Sequence, residues 1–72
     1  SNIAEGFNRS SKKEKIQFYS MALGSLAEVQ SQLEVARDIG YINPEAFSRM
    51  SARALTAHKL LNGLIKSTRS RL

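Results

Sequence analysis

Apolar side chains recur along the chain at a helical rather than an extended period. Ile16, Tyr19, Leu23, Leu26 and Leu33 fall three, four or seven residues apart, the spacing that lines up one face of an α-helix. Phe18, Ala22, Val29, Ala36 and Ile39 form an adjoining stripe at the same period. Two stripes on one helix mean apolar contacts on two sides. Further along, Phe47, Met50, Ala54, Ala57, Leu61 and Leu64 alternate three- and four-residue steps, which places one bundle seam on a single face. His58, Leu60 and Ile65 widen that face. No stretch alternates apolar and polar residues cleanly, and no hairpin dipeptide separates β-branched runs, so strands are not expected.

The breaks between these patterns carry stop and start signals. Ser11-Lys12-Lys13-Glu14 is a Ser-x-x-Glu capping box, in which Ser11 accepts from an early backbone N–H and Glu14 reaches back to the Ser11 amide. Gly40 follows the last periodic residue and suits the left-handed C′ position, with Tyr41 and Ile42 offering an apolar contact back onto the last turn. Asn43-Pro44-Glu45 starts the second helix: an Asn cap, a proline where the missing N–H costs nothing, and an acid in the positive first turn. These signals predict helices over about 12–39 and 44–67. The connection is short, so the two lie antiparallel. Gly63 predicts close backbone approach or fraying, and the polar, basic residues 66–72 predict a frayed end. The small residues Ala22, Gly24 and Ser25 read as a place of close helix approach rather than a ligand notch. The fold class is all-α, a long antiparallel αα-hairpin.

Size and composition narrow the rest. A chain of 72 residues has room for one domain, and domains below ~70–80 residues rarely bury enough apolar surface without a staple. Cysteine is absent and His58 is the single histidine, so neither disulfides nor a zinc site can supply it. Packing between copies is the remaining staple. No cofactor or metal is expected. No apolar run approaches the ~18 residues of a membrane span, and no secretory signal layout opens the chain. The expected location is the cytoplasm, with no membrane partner.

In the opening segment, Ile3, Ala4 and Phe7 keep helical spacing and Gly6 sits where a helix stop belongs, with nothing that initiates structure. Residues 1–9 thus read as the end of an upstream helix, with Ile3 and Phe7 docked on the hairpin. Ser1-Asn-Ile-Ala-Glu-Gly-Phe7, Ser11-Lys-Lys-Glu14, Ala22-Leu-Gly-Ser-Leu-Ala-Glu28, Gln32-Leu33, Ala36, Gly40-Tyr41 and Leu61-Asn-Gly-Leu-Ile-Lys66 together resemble the four-helix-bundle protein family first noticed as reading frames inside intervening sequences of bacterial 23S rRNA genes. The resemblance covers essentially the whole chain. It implies an up-down four-helix bundle of which residues 1–72 are the C-terminal part: the end of the second helix and all of the third and fourth. It also implies cyclic pentamers, and kinship with the accessory subunit of diversity-generating retroelements, a basic protein that works with nucleic acid and a reverse transcriptase. For most members no biochemical activity is established.

The formal charge of +5 is unevenly spread. Residues 1–15 and 59–72 hold eight Lys and Arg against two Glu, whereas residues 16–58 hold three Arg against four acids. Antiparallel packing brings both basic clusters to one end. Lys12 and Lys13 also sit at a helix N-terminus, where the macrodipole disfavours cations by ~0.3–1 kcal/mol each. Cations kept there point to phosphate contact; helix electrostatics alone favours the basic C-terminal turn. The candidate nucleic-acid-binding residues are Arg9, Lys12, Lys13, Lys15, Lys66, Arg69 and Arg71, and the candidate packing residues are Ile16, Tyr19, Leu23, Leu26, Leu33, Phe47, Met50, Leu61 and Leu64. No helix-turn-helix or RNA-recognition signature appears, so sequence-specific readout is not expected.

His58 reads as a packed, hydrogen-bonded residue without a triad or metal partner. Glu5, Glu28 and Glu34 lack the Glu-x-x-His spacing of di-iron bundles, and Glu28 is expected to pair across helices or face solvent. An enzyme is not expected. Two readings remain open: an oligomeric bundle that holds RNA or DNA at its basic end, and a bundle whose apolar faces bind a protein partner while the charge is incidental. Self-association is expected in either, as a dimer of hairpins or a family-like pentamer.

Overall fold

A computed structural model describes residues 11–71. It holds two α-helices of 27 residues each, α1 (Lys12–Asp38) and α2 (Pro44–Ser70), packed against one another along their length. Each spans about 40 Å. The expectations for residues 1–9, including Arg9 and the docking of Ile3 and Phe7, lie outside the described residues.

Both N-cap side chains accept as the sequence predicts, but Glu14 reaches back to the Ser11 hydroxyl rather than to its amide. Ser11 Oγ accepts from Glu14 N at 3.1 Å, and Asn43 Oδ1 accepts from Ala46 N at 2.7 Å. In the first cap Glu14 Oε1 accepts from the Ser11 hydroxyl at 3.1 Å. Between the helices the backbone turns through a Schellman motif: Gly40 N donates to Arg37 O at 3.1 Å and Tyr41 N to Ala36 O at 2.8 Å. Gly40 has φ +82°, the left-handed conformation that a β-carbon strains and glycine does not. Tyr41 is 83% exposed, so it projects from the bend instead of folding back; Ile42 is the half-buried residue of the pair.

The seam follows the predicted face, at low burial. Ile16, Tyr19, Leu23, Leu26 and Leu33 of α1 and Phe47, Ala54, Ala57, Leu61 and Leu64 of α2 are half-buried. Met50 departs from the expectation: it is 44% exposed and borders the seam rather than filling it. Among the described residues only Ile65 (8% exposed) and Thr68 (9%) are buried, both in the last turns of α2. The second stripe of α1 splits. Ala22 and Ala36 are half-buried, while Phe18 (61% exposed), Val29 and Ile39 remain open to solvent, with Met21 (73%) beside them.

Three local expectations are corrected. Residues 66–70 do not fray: α2 continues to Ser70, because Lys12 Nζ donates to Arg69 O at 3.2 Å and to Arg71 O, supplying donors to carbonyls that a helix end leaves unpaired. Neither Gly24 nor Gly63 marks a close helix approach, since a β-carbon at either position would meet nothing within 4 Å. Ser25 is exposed and donates to Met21 O at 3.2 Å.

Candidate nucleic-acid interface

Antiparallel packing joins the start of α1 to the end of α2. The contacts from Lys12 to the carbonyls of Arg69 and Arg71 tie the two basic clusters together at the open end of the hairpin. They also give Lys12 a structural task. At the N-terminus of its own helix this ammonium opposes the macrodipole, yet it sits on the negative C-terminal end of α2, where a cation is favoured. Its position against the dipole is therefore explained without a ligand.

The other candidates divide by their partners. Lys13, Lys66, Arg69 and Arg71 are exposed, and their side chains make no ion pair or hydrogen bond among the described residues. Lys15 is half-buried and has a partner. Lys59, which opens the C-terminal basic run, is exposed and without an ion pair among the described residues. Sequence reasoning passed it over, although Lys59, Asn62, Lys66 and Arg69 step by three, four and three residues and so share one face of α2.

At the bend the charges are balanced. Arg37 Nε lies 3.0 Å from Asp38 Oδ1, and the Arg37 guanidinium rests over the Phe47 ring, 4.3 Å from its centroid. Such a pairing adds ~0.5–1 kcal/mol at an exposed site.

Shallow grooves flank the helix seam, and their linings differ. Leu26 and Ala54 border both. One groove continues into Gln30, Ser51, Leu55 and His58. The other continues into Val29, Leu33, Met50, Arg53 and Ala57. Ala27, which also lines the first groove, and Val29 of the second lie at opposite sides of Leu26 on the helix wheel, so the grooves occupy opposite flanks. The first carries polar groups: Gln30 Nε2 donates to Ser51 Oγ at 3.1 Å across the helices, and Asn62 Nδ2 lies 3.2 Å from His58 Nδ1. His58 is hydrogen-bonded as expected but exposed rather than packed. Glu28 and Glu34 face solvent.

Among the described residues no three His, Asp or Glu side chains gather as a metal site, and no helix is long and apolar enough to cross a membrane. No curated protein and no solved structure matches the chain. The family described as 23S rRNA-intervening sequence protein matches residues 1–63, a span that takes in α1, the bend and most of α2. By that match the chain belongs to the 23S rRNA-intervening sequence protein family.

Proposed function

We propose that this chain is a non-enzymatic subunit of an oligomeric helical bundle that holds RNA or DNA, without sequence preference, at its basic end. The observation that carries the reading is the group of exposed cations Lys13, Lys66, Arg69 and Arg71 at the open end, none with an ion pair among the described residues. Surface cations without counter-charges are free to replace the counterions of a nucleic acid, and the released ions drive association. The open flanks of α1 support the oligomeric part. Phe18, Met21, Val29 and Ile39 are exposed along one helix, and burying such surface against further helices completes a four-helix bundle. Those helices belong to the same protomer or to a second hairpin.

The test is binding of mixed-sequence RNA and DNA across a salt series, by the chain and by the variant Lys13→Glu, Lys66→Glu, Arg69→Glu. The proposal expects binding that weakens with salt and is lost on charge reversal. Unchanged affinity in the variant overturns it.

A second reading, a protein-binding bundle with incidental charge, is favoured by the same exposed apolar stripe. It expects Phe18→Asp and Val29→Asp, on that exposed stripe, to abolish partner capture, and charge reversal to leave capture intact.

A further inference from the structure

The cations of the open end do not stop at the end. Lys59, Asn62, Lys66 and Arg69 run along one face of α2, over about 15 Å of helix axis. All four are exposed. Leu55, four residues before Lys59, lines the groove that also holds Ser51 and His58, so the row lies on the His58 flank of the hairpin. The opposite flank of α2 carries Met50, Arg53 and Ala57 in the apolar groove, with Leu60 exposed. The row's three cations thus lie together on one flank, beside a groove lined by Ser51 and His58 as well as Leu55. Lys12 meets the row at its upper edge, where it holds the Arg69 and Arg71 carbonyls, and so braces the last turn that presents Arg69.

We infer that the Lys59–Asn62–Lys66–Arg69 row of α2 is a track for the phosphate backbone of a nucleic-acid duplex; this rests on the nucleic-acid reading proposed above. Two observations select a duplex. Single strands are held by stacking successive bases on aromatic rings, and the row has no Phe, Tyr or Trp, the one ring beside it being the His58 imidazole bonded to Asn62. Among the described aromatics, Phe18 lies on the α1 flank of Val29, Tyr19 faces the seam, and Tyr41 and Phe47 lie at the bend end. The row instead offers three cations and an amide. Asn62 Nδ2 has one hydrogen toward His58 and keeps the other for a phosphate oxygen. A duplex presents about one negative charge per 1.7 Å of axis, denser than a single strand, and rewards backbone contact without base contact.

The experiment is fluorescence anisotropy of the full chain with mixed-sequence DNA duplex, RNA duplex and single strands of equal length, between 50 and 200 mM salt. Three phosphate contacts predict roughly 40-fold weaker duplex binding across that range. Lys59→Ala and Lys66→Ala each flatten the salt slope by about 0.9, whereas Arg49→Ala, off the row, leaves it unchanged. Circular dichroism confirms that the variants keep their helices. The two duplex arms report whether DNA or RNA is preferred, and either preference agrees with a backbone track. Tighter binding to single strands, or a slope untouched by Lys59→Ala, overturns the track while the basic-end proposal stands. No binding to any of the probes overturns both.

Discussion

The two ends of the hairpin are held by different kinds of interaction. At the bend the backbone and cap contacts are short in sequence: the Schellman bonds of Gly40 and Tyr41, the Asn43 cap and the Arg37–Asp38 pair all join residues within five positions, and the Arg37–Phe47 contact reaches only across the bend. At the open end the closing contact joins Lys12 to carbonyls 57 and 59 residues away, and Ile65 and Thr68, the buried pair among the described residues, lie in the adjoining turns. Charge follows the same division. The bend neutralises its arginine, whereas the open end leaves several cations to solvent. A local structure can form before the hairpin does; the open end exists only after the helices have docked.

This difference orders the expected effects of mutation, read by thermal or denaturant unfolding at one fixed protein concentration. Ile65→Ala has the largest, about 2–4 kcal/mol of lost stability, because it removes the most buried apolar side chain. A loss under about 0.5 kcal/mol would move the centre of the core away from the open end. Gly40→Ala follows, at roughly 1 kcal/mol, through the positive φ rather than through any clash. Asn43→Ala costs about 1 kcal/mol by leaving the Ala46 amide without its acceptor. Gly63→Ala has the opposite sign: an exposed mid-helix glycine with free space around it gains up to about 1 kcal/mol from the substitution. Lys12→Ala is the smallest in global stability, under about 1 kcal/mol for surface hydrogen bonds. Its sharper readout is local, since amides in the last turn of α2 lose hydrogen-exchange protection and those at the bend do not. Equal protection at both ends in that variant would erase the contrast.

What the sequence discloses divides along the same line. Ser11, Gly40, Asn43 and Pro44 act on neighbours within a few residues, so the helix starts and the bend are readable from short motifs. Periodicity likewise identifies the seam, because Leu26, Leu33, Leu61 and Leu64 recur at a spacing that only one helical face satisfies. The extent of α2 beyond residue 67 is not readable this way. It depends on Lys12, which docks there only in the folded hairpin. The same holds for the site. Charge clustering at one end follows from antiparallel order, but the division of those cations into a brace, Lys12, and a set without ion pairs among the described residues, Lys13, Lys66, Arg69 and Arg71, arises only in the docked hairpin. Lys59 could have been found by extending the Lys66–Arg69 spacing backward along the helix. Met50 shows the converse limit: it keeps the seam period yet lies at the border, because a wheel position gives direction and not the depth of the neighbour.

The central claim is that apolar flanks build an assembly whose basic end remains available to nucleic acid. It is tested most directly by native mass from light scattering, at low and high salt, with and without a short mixed-sequence nucleic acid. A defined oligomer at both salts, gaining the mass of the nucleic acid at low salt and releasing it at high salt, is the expected result. A monomer, or an oligomer whose mass is indifferent to nucleic acid at every salt, would contradict it.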